Sequence, residues 1–367
     1  MSTSAPPYEF TPIIDALRRG QEHEARTELA AALGAYEEAM TLLRRIPLAH
    51  PEVRRLLGVA WMNRGNALQK QQVLRTTAAA TVGEASEPRI ENGDTPNPAE
   101  TILAYEEAIG HFETLPFETD PLCLNHLGAA WLNRGHALLV ADNFAGAAES
   151  FERAIPLLQQ LPLENDPAFR LNLAGAWTNL AHATLLASPE HSCFAARAAL
   201  DLVAADAGTK ANFAAMSLRS RRALVTALGE LLQRPGAPGE LASEATDTID
   251  EGLALARHWE THGDAQLRPL AARLFRLGTQ VYRIHQPHFL AEYVLENLAH
   301  PAYAADPVFR TTAEEAIARA LAELQRPQLL VAGSPDAEKL LTAARSLRAA
   351  QQQLSNLPPS TTTASSA

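Results

Sequence analysis

Lysine is almost missing from this chain of 367 residues: Lys70, Lys210 and Lys339 are the only three, and nearly all other basic residues are arginine. With 31 basic against 42 acidic residues the formal net charge is −11, which argues against a nucleic-acid role, because phosphate binding draws on clustered Lys and Arg. Cysteine is scarce as well. Cys123 and Cys193 are too few and too far apart for a disulfide framework, which fits a reducing compartment. No run of about 20 apolar residues exists, so no membrane span is expected. Met1 to Pro7 shows neither a basic nor an apolar leader region, so no signal peptide is expected and the location is read as cytoplasmic. Aromatic residues make up only 6% of the chain against 47% hydrophobic, so Ala and Leu must build the core. Ala has the best helix propensity, alternating strand patterns are absent, and the fold class is read as all-α.

The chain does contain one segment written three times. Residues 60–68 read A-W-M-N-R-G-N-A-L, residues 130–138 A-W-L-N-R-G-H-A-L, and residues 176–184 A-W-T-N-L-A-H-A-T. Self-similarity in one register marks a repeat architecture. A second block precedes each: Tyr36-Glu37-Glu38-Ala39, Tyr105-Glu106-Glu107-Ala108 and Phe151-Glu152-Arg153-Ala154. The distance from its aromatic to the next Trp is 25, 26 and 26 residues. Between the blocks lie Ile46-Pro47-Leu48, Leu115-Pro116-Phe117 and Leu161-Pro162-Leu163, followed by Pro51, Asp120-Pro121 and Asp166-Pro167. Asp is a good N-cap and Pro is tolerated at the first helical position. Each unit therefore reads as helix, Pro-bounded loop, cap, helix. The pattern returns at Asp306-Pro307, with Ile317 in the place of Trp, and Leu274 to Gly278 repeats the Trp-to-Gly spacing.

These residues resemble the tetratricopeptide repeat family, in which Trp, then Leu-Gly three and four residues on, precede an Ala- and aromatic-rich second helix. Gly65, Gly135 and Ala181 stand four residues after Trp61, Trp131 and Trp177, and Trp131 to Phe151 is 20 residues. The departures are a 46-residue step from Trp131 to Trp177, and Arg64 and Arg134 where the family has Leu. The resemblance implies a superhelical array of antiparallel helix hairpins, an α-solenoid of about six hairpins. Such arrays offer long surfaces that bind.

The expected organisation is a flexible N-terminus at 1–9, repeats over 10–205 with a loop insertion at 76–97, and degenerate helical repeats over 206–335 with a loop at 234–240. A capping helix over 336–356 and a disordered tail over 357–367 complete it. Residues three and four apart share a helix face, so Trp61, Gly65 and Leu68 lie together, and the Trp side chains are expected to fill the space between paired helices. Asn63 and Asn66, Asn133 and His136, and Asn179 and His182 fall on another side. Stacked in register they form a polar ladder.

In the resembling family the first helices line a groove, and Asn there can bind peptide backbone or a terminal carboxylate. Asn suits this because one side chain both donates and accepts. Arg64 and Arg134 can add bidentate carboxylate contacts. The alternative for Asn63, Asn133 and Asn179 is a structural bridge between repeats. Met62 and Leu132 stand where the family's carboxylate clamp has a basic residue.

No phosphate-binding Gly loop and no nucleophile elbow occur. Cys123, His126, His191 and Cys193 lack the paired spacing of a zinc site, and His258-Trp259-Glu260-Thr261-His262 fails the metalloprotease signature. No metal or cofactor is expected. The sequence points to a non-enzymatic scaffold that binds a protein or peptide. The alternatives are a helical-array enzyme or sensor with its site among His258, His262, His285, His288 and His300, and a structural oligomerisation module.

Overall fold

A computed structural model describes residues 9–81, 98–115, 120–324 and 335–357. Every regular element among them is helical, and the chain divides into two compact units, Met1–Ala183 and Thr184–Ala367. The expected N-terminal segment 1–9, apart from Glu9, and the tail 357–367, apart from Leu357, lie outside the described residues.

Unit 1 holds α1 (Thr11–Ala25), α2 (Leu29–Leu43), α3 (Pro51–Thr81), α4 (Pro98–Phe112), α5 (Pro121–Val140), α6 (Phe144–Leu158) and α7 (Pro167–Thr184), the last of which ends one residue beyond it. Helices α1 and α2, α3 and α4, and α5 and α6 pack as consecutive pairs, with α2 against α3 and α4 against α5 joining them. Its core is built from Ile13, Tyr36, Met40, Leu43 and Leu56, continuing through Phe112, Cys123 and Leu127.

The pairs close at glycines. A Cβ on Gly65 would stand 2.6 Å from the ring of Tyr105, and one on Gly135 2.6 Å from the ring of Phe151. Seven residues earlier, a Cβ on Gly58 would meet Phe112 at 2.5 Å and one on Gly128 Leu158 at 2.8 Å. Seven residues are about two helical turns, so each long helix presents two bare points on one face. Two large side chains of the antiparallel partner, also seven residues apart, sit in them. Gly20 receives Tyr36 in the same way, so α1 and α2 form a hairpin at the start of the repeat region expected over 10–205.

The aromatic side chains of the second helices, not the tryptophans, fill the hairpins. Tyr36, Tyr105 and Phe151 are completely buried, whereas Trp61, Trp131 and Trp177 are half-buried. Trp61 and Trp131 lie against the edge of the core, with the guanidinium of Arg64 5.5 Å and that of Arg134 5.6 Å from the respective ring centroid. The expectation that Trp fills the hairpin is corrected accordingly. The space beside a glycine is deep and narrow, and a single ring from the opposite helix enters it where an indole on the glycine's own helix does not reach.

The caps form as expected. Asp120, Asp166 and Asp306 accept from the main-chain N–H of Leu122, Ala168 and Val308 at 2.9, 2.8 and 2.8 Å. Helix α3 runs to Thr81, six residues into the segment 76–97 expected as a loop. The Ala78-Ala79-Ala80 run there has the highest helix propensity. Residues 82–97 lie outside the described ones.

Unit 2 holds α8 (Pro189–Val203), α9 (Ala211–Leu232), α10 (Gly239–Thr261), α11 (Arg268–His285), α12 (Leu290–Leu298), α13 (Pro301–Ala305), α14 (Pro307–Leu324) and α15 (Pro335–Ser355), with one 3-10 turn at Ala265–Leu267. Here too neighbours in sequence are neighbours in space, and α9, α11 and α14 also pack side by side. Leu274 and Ile317, which stand at the Trp position, are fully buried, and Gly278 receives Tyr293. Of the loop expected at 234–240, residues 234–238 lie between α9 and α10 while Gly239 and Glu240 open α10, and α15 covers 336–355 of the segment expected at 336–356.

Candidate functional site

Helices α3 and α5 touch along their middle turns, and this contact carries most of the groove residues read from the sequence. Asn66 and Asn133 meet directly. The Nδ2 of Asn133 donates to Oδ1 of Asn66 at 3.1 Å, and the hydroxyl of Tyr105 donates to the same oxygen at 3.0 Å. Tyr105 also lies 3.1 Å from Oε1 of Gln69, whose amide contacts the ring of His136. The ladder is thus a network that ties α3, α4 and α5 together. Its two middle asparagines share one hydrogen bond, from Asn133 to Asn66. The network includes Tyr105 and Gln69, which the site reading had not named. Gln69 stands three residues after Asn66, on the same face, so its spacing was available as a signal.

Burial pushes the Tyr105 hydroxyl well above its ordinary pKa, and the charge of Glu24 adds to this, so it remains a donor at every physiological pH. The ring of His136 is partly open to solvent, yet desolvation by its neighbours lowers its pKa below the usual histidine value. The shift favours the neutral ring, in which one nitrogen can accept.

Arg134 turns away from its expected ligand role. Its Nε and Nη2 reach Oε1 of Glu106 at 3.1 and 2.9 Å, and its Nη1 reaches Oγ of Ser150 at 2.7 Å. It clasps α4 and α6 from α5. Arg64 lies over Trp61. Asn179 and His182 are half-buried on α7.

Asn63 is the exception. It is only 6% exposed, and its Nδ2 has no hydrogen-bond partner among the described residues. Two more buried atoms on the first helices share that condition, Oδ1 of Asn125 and Nδ1 of His126, both on α5. A buried polar group without a partner costs roughly 1–3 kcal/mol.

The cysteine and histidine candidates do not gather. Cys123 donates to Asp120 at 3.1 Å, and burial, reinforced by Asp120, pushes its thiol up to about 11. Burial does the same to Cys193, also to about 11. Neither is a thiolate at neutral pH. The rings of His258 and His262 lie with centroids 4.4 Å apart and planes tilted by 47°, and the His262 Nδ1 lies 2.7 Å from the His258 carbonyl, a contact that finishes the end of α10. No group of three or more His, Cys, Asp or Glu side chains among the described residues is arranged to hold a metal. No helix among them is long and apolar enough to cross a membrane.

No family model and no curated protein matches this chain. Two solved structures align along most of it. One, reported under the description "The hypoxic regulator of sterol synthesis Nro1 is a nuclear import adaptor", shares 14% identity over 91% of this chain and 92% of that one, with a TM-score of 0.29. The other, the S. pombe nuclear import adaptor Nro1, shares 13% identity over 94% and 99%, with a TM-score of 0.28. Likeness at that level leaves the fold to be read from this chain's own packing.

Proposed function

We propose that this chain is a tetratricopeptide-like, non-enzymatic scaffold whose unit 1 holds a peptide or protein segment against the first helices of its hairpins. The observation that carries the reading is Asn63: a buried amide donor without a partner among the described residues, one turn from Asn66, whose Oδ1 accepts from Asn133 and Tyr105. A peptide carbonyl would supply what that donor lacks, and a peptide N–H what Oδ1 of Asn125 lacks, once the helices part to admit the segment, since both atoms are closed to solvent in the free chain. His136 and Gln69 extend the same line of polar groups along α3 and α5. Asn66, Asn133 and Arg134 act as the frame, holding successive hairpins in register so that the recognition groups stay fixed.

The test is photocrosslinking from position 136 in lysate of the source cells, compared with position 152, an exposed site on α6. A partner captured from 136 and not from 152, and lost on Asn63→Leu in a chain that still melts cooperatively, is the expected result. Equal capture from both positions, or capture unaffected by Asn63→Leu, overturns the reading.

A further inference from the structure

We propose that the face formed by α9, α11 and α14 in unit 2 binds an acidic polypeptide segment bearing a bulky apolar anchor. Arg276 and Arg283 of α11 and Arg319 of α14 line one groove of this face, and on the α9 side Arg222 lies within reach of the charges of Arg219 and of Arg273 on α11. Some of that charge is neutralised locally. Arg283 is paired with Glu323, and Arg319 with Glu315 at 3.5 Å. Arg219, Arg273 and Arg276 are exposed and pair with no carboxylate among the described residues. The guanidinium of Arg222 is held below its usual pKa by burial, and then by the charges of Arg273 and Arg219. Arg219, Arg222 and Arg273 therefore lie close together, in a protein whose net charge is −11. The three arginines of the face that meet no carboxylate among the described residues, Arg219, Arg273 and Arg276, are stabilised by an anionic ligand.

The shape of the face narrows the ligand. A polar groove of about 370 Å³ runs between α11 and α14, lined by Arg276, Thr279, Arg283, Thr312 and Arg319. A second groove of about 270 Å³ runs between α9 and α11, largely apolar, lined by Val225, Leu277, Val281 and Ile284. Gln280 borders both, and Ile284 is 59% exposed at the rim of the second. Glu230 is the one carboxylate bordering the apolar groove, as Glu315 is of the polar one.

Arginine forks suit carboxylates, which they bind bidentately. Neither groove is lined by Phe, Tyr or Trp, so the stacking platform that single-stranded nucleic acid uses is missing among the described residues. A segment with carboxylates for the arginines and one large apolar side chain for the α9–α11 groove satisfies both grooves at once.

Gly229 supplies a clean probe. It lines the apolar groove, and a Cβ there would meet nothing within 4 Å, so Gly229→Leu fills the groove without disturbing the helix. The experiment is fluorescence anisotropy with the full chain and a labelled peptide of about a dozen Asp and Glu residues around a central Leu-Leu pair. The comparison probes are the same peptide with Ala-Ala at its centre and a dT oligonucleotide of equal charge.

Wild type is expected to bind the Leu-Leu peptide most tightly, with affinity falling as salt rises. Arg273→Gln with Arg276→Gln should weaken it by at least about tenfold, the loss of two charge-assisted contacts. Gly229→Leu should bring the Leu-Leu peptide down to the level of the Ala-Ala peptide. Arg197→Gln, which removes an exposed pair with Glu244 elsewhere in the unit, should change nothing. The thermal melt of each variant verifies folding. No saturable peptide binding, tighter binding of the oligonucleotide, or equal affinity in the double arginine variant overturns the proposal.

Discussion

Replacing Gly135 with Ala sets two opposed effects against each other, and the structure decides which wins. A glycine inside a helix costs about 0.5–1 kcal/mol relative to alanine, so by backbone entropy alone the substitution stabilises α5. The new Cβ, however, would stand 2.6, 2.8 and 2.9 Å from three atoms of the Phe151 ring. That ring is rigid and 0% exposed, so it cannot rotate out of the way, and α5 and α6 must separate. Overpacking of this kind costs about 1–3 kcal/mol. The expected net loss is about 1–2 kcal/mol. For a unit of this size that lowers the melting temperature by about 3–6 °C.

Tryptophan fluorescence is the appropriate readout, because Trp61, Trp131 and Trp177 lie in unit 1 and only Trp259 in unit 2. Gly34→Ala is the control. A Cβ there meets nothing within 4 Å, and the variant should gain about 0.5–1 kcal/mol. In the double variant Gly135→Ala with Phe151→Leu, the loss should be smaller than the sum of the two single losses, because the shorter side chain vacates the space. A Gly135→Ala protein as stable as wild type, alongside a stabilised Gly34→Ala, would refute the account of how the hairpins close.

A double-mutant cycle on Asn66→Ala and Asn133→Ala should return a coupling energy of about 1 kcal/mol, and a value near zero would remove the bridge between hairpins. Asp306→Ala should lower the stability of unit 2 by about 1 kcal/mol, the usual cost of a lost N-cap, measured by urea unfolding. The Asp120 carboxyl is held below the usual carboxylate range by the Cys123 thiol and then by the Leu122 N–H. Its stabilisation is therefore present above the unfolded pKa of about 3.9 and lost as pH falls through the lower folded value. The stability gap between wild type and Asp120→Asn should close along that acid limb. Glu260 is 8% exposed at its side chain and pairs with Arg268. Arg268→Gln should cost about 3 kcal/mol because it strands a buried charge, whereas Arg197→Gln at the exposed Glu244 pair should cost less than about 1 kcal/mol.

The features legible in the residues alone are local or periodic. The Asp-Pro caps depend on two adjacent residues, and all three appear where the dipeptide stands. The hairpin follows from a glycine and an aromatic 16 residues apart, as Gly135 and Phe151 are and as Gly20 and Tyr36 also are, so the first hairpin was legible without a tryptophan to mark it. Helical periodicity fixes which residues share a face, and that is a property of one segment at a time.

The fate of the polar side chains was decided by tertiary structure. Asn66 and Asn133 are 67 residues apart, and whether each faces a ligand or the other depends on how α3 and α5 are rotated, which the packing of Tyr105 into Gly65 sets. The arginine face of unit 2 lies where the repeat pattern has decayed. Nothing periodic links residues 219, 273 and 319, and only the side-by-side packing of three separate helices gathers their charges.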